Sequence, residues 1–317
     1  MGEHAAADIW QPNNTTRAEK KDVKWIGTWI PHSVASLLPC SLCYFVDILT
    51  ECRTMPVSPS AHTALVTGAS GGIGRAIAEQ FARAGTNLVL SARSEATLNE
   101  VAADWQARYD VTITVLPADL SEPGAVAALA GRVVAAGIGI DYLVNNAGFG
   151  TFGLFAQTDL DATLGLLRVN IEALTELTHR FLPNILARRG RILNVASTAS
   201  FQPGPYMAVY CASKAYVLSF SEALAAELAG TGVTVTALCP GATASGFQER
   251  ATMQSSGFLK RMRLATSESV AAAGYQAMMA GRAIFIPGLV NRLMVFSVRF
   301  APRSMVAALS KRVIAPP

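Results

Sequence analysis

The sequence predicts an α/β protein: a doubly wound, seven-stranded parallel sheet with helices on both faces, forming a single domain with an extension at each end. Three observations predict it. From Thr63 onward, short β-branched or apolar runs alternate with longer stretches of helical period, and Gly, Pro, Asp or Ser marks each boundary. The runs 64–66, 88–90 and 143–144 are apolar without alternation, as strands buried on both sides are. A glycine-rich turn directly follows the first strand and opens a helix, the arrangement that cradles a dinucleotide.

Composition narrows the function classes. Of 317 residues, 51% are hydrophobic and 15% charged, against about 25% charged in ordinary soluble domains, which excludes a disordered chain. The 26 basic and 22 acidic side chains give a net charge of +4. They form no run that would track a phosphate backbone, so no nucleic-acid partner is expected. Five cysteines (Cys40, Cys43, Cys52, Cys211, Cys239) are too few for a secreted disulfide framework and point to a reducing compartment, the cytoplasm. Cys40 and Cys43 form a CxxC with no second pair, so no metal is assigned.

Residues 1–60 read as an N-terminal extension. They open polar and turn apolar over 25–49, a stretch without Lys or Arg that is long enough to span a bilayer but is interrupted by Pro31, His32, Pro39 and Asp47. A membrane-associated segment and a weakly ordered extension both remain open. Met55 offers a second start. The domain proper is placed at 61–288, with strands at 63–67, 87–92, 112–116, 140–145, 191–195, 234–238 and 283–286. Helices are expected to begin near Gly72, Glu95, Glu122, Asp159, Val209 and Ser267. Residues 289–317 read as a basic amphipathic tail. Such a tail lies on an anionic membrane, covers a neighbouring subunit or packs on its own domain.

In the turn Thr67-Gly68-Ala69-Ser70-Gly71-Gly72-Ile73-Gly74, Gly68 permits the tight bend and Gly72 lets backbone approach a pyrophosphate. Gly74 allows close helix packing, Ser70 adds a hydroxyl, and the helix N-terminus favours the anion. Where an acid would accept from a ribose 2′-hydroxyl, the chain has Ala92 followed by Arg93. A guanidinium there suits a 2′-phosphate, so NADP(H) is the expected cofactor; the alternative is a solvated loop arginine. Downstream, Tyr210 and Lys214 lie four apart on one face of a helix, where an ammonium can stabilise a phenolate.

With these motifs the sequence resembles the short-chain dehydrogenase/reductase family, in its TGxxxGxG and YxxxK form, over about 63–287. The resemblance includes Asp119-Leu120, Asn145-Asn146-Ala147-Gly148, Asn170, Ser197, Pro240-Gly241 and Thr243. It implies a Rossmann-like domain and a CH–OH oxidoreductase. It implies that Tyr210 is the acid-base group, that Lys214 lowers its pKa and holds the nicotinamide ribose, that Ser197 bonds the substrate oxygen and that Asn170 positions a water. Asp119 and Leu120 would border the adenine, Asn146 to Gly148 would form a wall beneath the nucleotide, and Pro240, Gly241 and Thr243 would cover the nicotinamide. Homodimers or homotetramers would form through 159–186 and 209–229.

Substrate shape is expected from 149–156, 201–207 and 244–264, where Phe149, Phe152, Leu154, Phe155, Phe201, Tyr206, Met207, Phe247 and Phe258 suggest a lipophilic ketone or secondary alcohol. The rival reading is a catalytically silent NADP(H)-binding regulator. Its signature would be a damaged set among Asn170, Ser197, Tyr210 and Lys214, all of which are present.

Overall fold

The computed structural model describes residues 62–245 and 264–315. Seven parallel strands form one sheet: β1 (Thr63–Thr67), β2 (Asn87–Ser91), β3 (Ile113–Val115), β4 (Tyr142–Asn145), β5 (Arg191–Val195), β6 (Thr234–Leu238) and β7 (Ile284–Phe285). Their spatial order is β3-β2-β1-β4-β5-β6-β7. The chain winds outward from β1 to one edge and then from β4 to the other. The carboxyl ends of β1 and β4 therefore flank the crevice where such sheets bind ligands.

Consecutive residues of one strand feed opposite cores. Ala64 and Val66 pack with Ile77 and Phe81 of α1 (Gly72–Arg83), Leu98 and Trp105 of α2 (Glu95–Arg108), and Val270 and Met278 of the helix Ser267–Met279. Leu65 turns the other way, towards Leu129 of α3 (Ala125–Ala135) and the helices that follow β4. On that face α4 (Leu160–Leu167) leads through a π-helical segment, Arg168–Ala173, into α5 (Leu174–Ala187), and α6 (Ala208–Glu227) follows β5. Ser267–Met279 is α7; α8 (Leu289–Val298) and α9 (Arg303–Ile314) follow β7. A short parallel pair, Thr243–Ala244 with Ala265–Thr266, brackets residues 246–263.

Several expected bounds shift for physical reasons. The helix expected near Glu122 starts at Ala125, because Pro123 biases Glu122 away from helical backbone and Gly124 takes φ +77° at the cap. Asp159 is a cap rather than the first helical residue: its carboxylate accepts from the Ala162 amide at 2.7 Å. The amphipathic tail forms two helices, with a break between Val298 and Arg303, where Pro302 lacks the amide that would continue α8. The strands expected at 112–116, 140–145 and 283–286 are each shorter by two residues, and that at 87–92 by one. The apolar stretch at 25–49, the CxxC at Cys40 and Cys43, and Cys52 lie outside the described residues. Among those described, no helix is long and apolar enough to cross a membrane.

At the amino end of the sheet, buried Asp141 ties three elements together. It accepts from the Thr63 amide at 2.8 Å and from Arg188 Nε and Nη2 at 2.9 and 3.0 Å, and it meets His62 Nδ1 at 3.0 Å. Burial alone would raise its pKa, but the bonds from Arg188, His62 and Thr63 outweigh burial and hold it below the usual carboxylate range. A depressed carboxyl contributes stability above its unfolded pKa of about 3.9 and loses it as pH falls through the folded value. Asp141→Ala should therefore cost about 3 kcal/mol at neutral pH in denaturant melts, and the gap from the parent should begin to narrow below about pH 4 and close as pH falls through the lower folded value.

Candidate active site

The glycine turn after β1 has the backbone its sequence demands. Gly68 and Gly72 take φ +66° and +56°, a left-handed region that side chains disfavour. A Cβ on Gly74 would collide with the Asn146 amide and the Gly68 carbonyl. Asn146 Nδ2 donates to the carbonyls of Thr67 and Gly68 at 3.0 and 3.3 Å. The Thr67 hydroxyl donates to the Val144 carbonyl at 3.2 Å and accepts the amides of Asn146 and Ala147, both at 3.1 Å. One threonine thus fastens the turn after β1 to the shelf after β4.

A cavity of about 1110 Å³ opens along this shelf. Gly68, Ser70, Gly72, Ile73, Arg93, Asp119, Leu120, Asn146, Ala147 and Gly148 line it, as do Ser197, Tyr210, Lys214, Pro240, Gly241 and Thr243. Gly74 and Asn170 stand one layer behind the wall and act on it through Asn146 and Gly148. Arg93 is exposed at the rim. Against the upward push of partial burial on Asp119, hydrogen bonds from Ser121 and the Arg93 charge pull its carboxyl down. Asp119 thereby stays an acceptor close to a cation.

Several polar groups gather around Tyr210 and Lys214. Tyr210 and Ser197 line the same wall, and the Ser197 side chain draws the phenol pKa down. Ser197 Oγ accepts the Ala199 amide at 3.1 Å. Lys214 Nζ donates to the Val195 carbonyl at 2.8 Å, 5.9 Å from the centre of the Tyr210 ring. Asn170 projects from the π-helical segment, a local widening common at functional sites. Its Oδ1 accepts from the Phe149 amide at 3.2 Å, and its Nδ2 donates to the Phe149 carbonyl and to Ser213 Oγ, both at 3.0 Å. Ser213 donates in turn to the Tyr210 carbonyl at 2.7 Å. The short-chain dehydrogenase model matches residues 62–255, more than half of the chain. The chain belongs to the short-chain dehydrogenase family.

Within this family, the probable oxidoreductase EphD of Mycobacterium tuberculosis is 39% identical over 178 residues, 56% of this chain and 30% of that protein. The match thus spans less than a third of that relative's length. A short-chain dehydrogenase of Sphingobium yanoikuyae solved in complex with NADPH superposes with a TM-score of 0.68 at 32% identity, covering 75% of this chain and 93% of its own. A family member of Burkholderia phymatum in complex with NAD gives 0.66 at 26% identity, covering 75% and 92%.

Two expectations change. Lys214 was expected to lower the Tyr210 pKa. Instead, burial pushes the phenol up to about 12 against a partial pull from the Ser197 side chain, while burial brings Lys214 down to about 8. The ammonium bonds Val195 rather than the hydroxyl, so in the chain alone desolvation wins over attraction. The aromatic loops also differ from expectation. Phe149 and Met207 line the cavity, but Phe152 packs on Tyr206, Phe201 on the core around Val217, and Leu154 and Phe155 face solvent. Phe247 and Phe258 lie outside the described residues.

Much of the apolar wall comes instead from Met294 and Val298 of α8 and from Met305, Val306, Leu309 and Val313 of α9. The sequence alone leaves this tail open between location, assembly and substrate entry. Its period identified an apolar face without saying what that face covers. Thr67 and Ser213 were also missed, although both stood within motifs already marked out. No sequence signal announced the π-helical segment.

Proposed function

We propose that the chain is an NADP(H)-dependent oxidoreductase that interconverts a carbonyl and a secondary alcohol, acting on a lipophilic ketone or alcohol. The observation that carries this reading is that Ser197, Tyr210 and buried Lys214 line the same cavity as the glycine cradle. The cradle suits a dinucleotide: Gly68 and Gly72 leave backbone bare at the cavity wall, and Ser70 adds a hydroxyl beside it. The two solved family members with NADPH and NAD support a nicotinamide cofactor, which when bound supplies or accepts the hydride.

The chain's own residues handle the oxygen. Tyr210 holds its proton up to about pH 12 and so stands ready to donate to a carbonyl oxygen as negative charge grows there. Ser197 supplies a second donor aimed at the same point. Lys214 places a cation near the phenol, and Asn170 fixes the Phe149 backbone and, through Ser213, the Tyr210 turn. The wall of Met294, Val298, Met305 and Leu309 supports an apolar substrate.

Arg93 supports NADP(H) over NAD(H), since it faces the cavity where a 2′-phosphate would lie near Asp119. Kinetics with both cofactors check this. The parent should prefer NADPH, and Arg93→Ala should lower kcat/KM for NADPH about tenfold while leaving NADH unchanged. The reading as a whole is tested by incubating the protein with hydrophobic ketones and alcohols and following NADPH oxidation or NADP reduction. Cofactor binding without turnover of any of them would defeat it.

The reducing cytoplasm remains the proposed compartment, in keeping with Cys211 and Cys239 as buried free thiols. Helices α4 to α6 remain the proposed surface for a homodimer or homotetramer, with Leu160, Leu164 and Tyr216 exposed on them. The division at 60 and 288 also stands as a proposal, with 289–315 now counted among the residues that shape the substrate end.

A further inference from the structure

The inner face of α8 carries Asn291, Met294 and Val298 to the cavity and buries Val295. Its outer face holds no polar side chain along one line. Leu289, Leu293 and Phe296, continued by Phe300 in the following turn, stand at i, i+4, i+7 and i+11 and are 70, 60, 56 and 75% exposed. Phe296 and Phe300 meet edge to face at 5.0 Å, so the two rings form a single exposed apolar ridge. Arg292 and Arg299, also exposed and seven residues apart, run along one flank of this ridge.

The charge around the ridge is one-sided. Residues 269–317 contain six cations and no Asp or Glu, leaving twenty cations against 22 acids in residues 1–268. A chain of modest overall charge therefore keeps its whole positive excess at the end that bears the ridge. Such an excess is repelled by a second copy of itself and attracted by an anionic surface. The ten residues of α8 reach only about 15 Å, too short to span a bilayer. A short helix with an apolar ridge and flanking arginines has the form of one that lies in the headgroup plane.

We propose that the outer face of α8, with the cations of α9, docks on an anionic lipid bilayer. On α9, exposed Met305 and Leu309 also line the cavity, so docking would set the cavity opening beside the lipid.

Flotation of the 317-residue chain with vesicles tests this without any need for turnover, so the proposal and the oxidoreductase reading fail separately. Binding is expected to vesicles containing phosphatidylserine and not to phosphatidylcholine alone, and to weaken as salt rises. Leu293→Gln with Phe300→Gln should abolish it. Arg299→Gln with Arg312→Gln should lower partitioning roughly thirtyfold. All four side chains are exposed, and unchanged NADPH binding and thermal unfolding of the variants will show the fold intact. Three results would each overturn the proposal: no binding to phosphatidylserine vesicles, undiminished binding by the variants, or equal binding to phosphatidylcholine. So would light scattering in which the parent is an oligomer and the Leu293→Gln/Phe300→Gln variant a monomer, which would assign the ridge to a second copy.

Discussion

Tyr210→Phe is expected to lower kcat/KM for carbonyl reduction by about 10² to 10⁴-fold while leaving the dissociation constant for NADPH unchanged. The factor is that of a positioned general acid. The phenol is buried, and neighbouring Ser197 keeps the Ala199 amide and the Pro240 carbonyl as partners when the phenol oxygen is removed. Loss of stability should thus stay near 1 kcal/mol, the worth of one hydrogen bond. The ring itself still packs against Leu166, Met207 and Cys211. Single-turnover kinetics beside fluorescence titration of NADPH separate the chemical loss from any binding loss. Full activity in the variant would remove Tyr210 from the chemistry.

The second large effect is expected at the glycine turn. Gly74→Ala pushes a methyl into the Asn146 amide and the Gly68 carbonyl, and the carbonyl, being backbone, yields only if the turn moves. Overpacking of this kind costs about 1–3 kcal/mol. Because the displaced atoms are the cradle itself, NADPH affinity should fall on the order of a hundredfold. Gly71→Ala in the same turn is the control: its φ is −171°, and an added Cβ meets nothing within 4 Å. Calorimetric titration of both variants with NADPH should show the Gly71 variant within a few-fold of the parent. Equal losses in the two would mean that the turn fails for reasons other than packing at Gly74.

The sheet was legible because each strand advertises itself locally. Runs such as 64–66 can only be buried on both faces, and the turn residues between runs fix where chain direction changes. The motifs placed Gly68 to Gly74, Tyr210 and Lys214 at the site for the same reason: each is a contiguous signature whose chemistry depends on near neighbours. What depended on distant neighbours was not legible. Phe152 and Tyr206 had the composition of pocket residues but satisfy each other. The direction of the Tyr210 shift is set by burial from several elements, which the four-residue spacing to Lys214 does not encode. Pro302 signalled a helix break, yet nothing in the tail said that α8 and α9 would fold back over the carboxyl end of the sheet.

The placement of α8 and α9 separates two kinds of evolutionary freedom. On the proposed reading, proton delivery and nucleotide grip would lie with residues within 62–245, whereas α8 and α9 would supply part of the wall beside them. Exchange of these two helices between homologues would be a route to new selectivity that leaves the reaction itself intact.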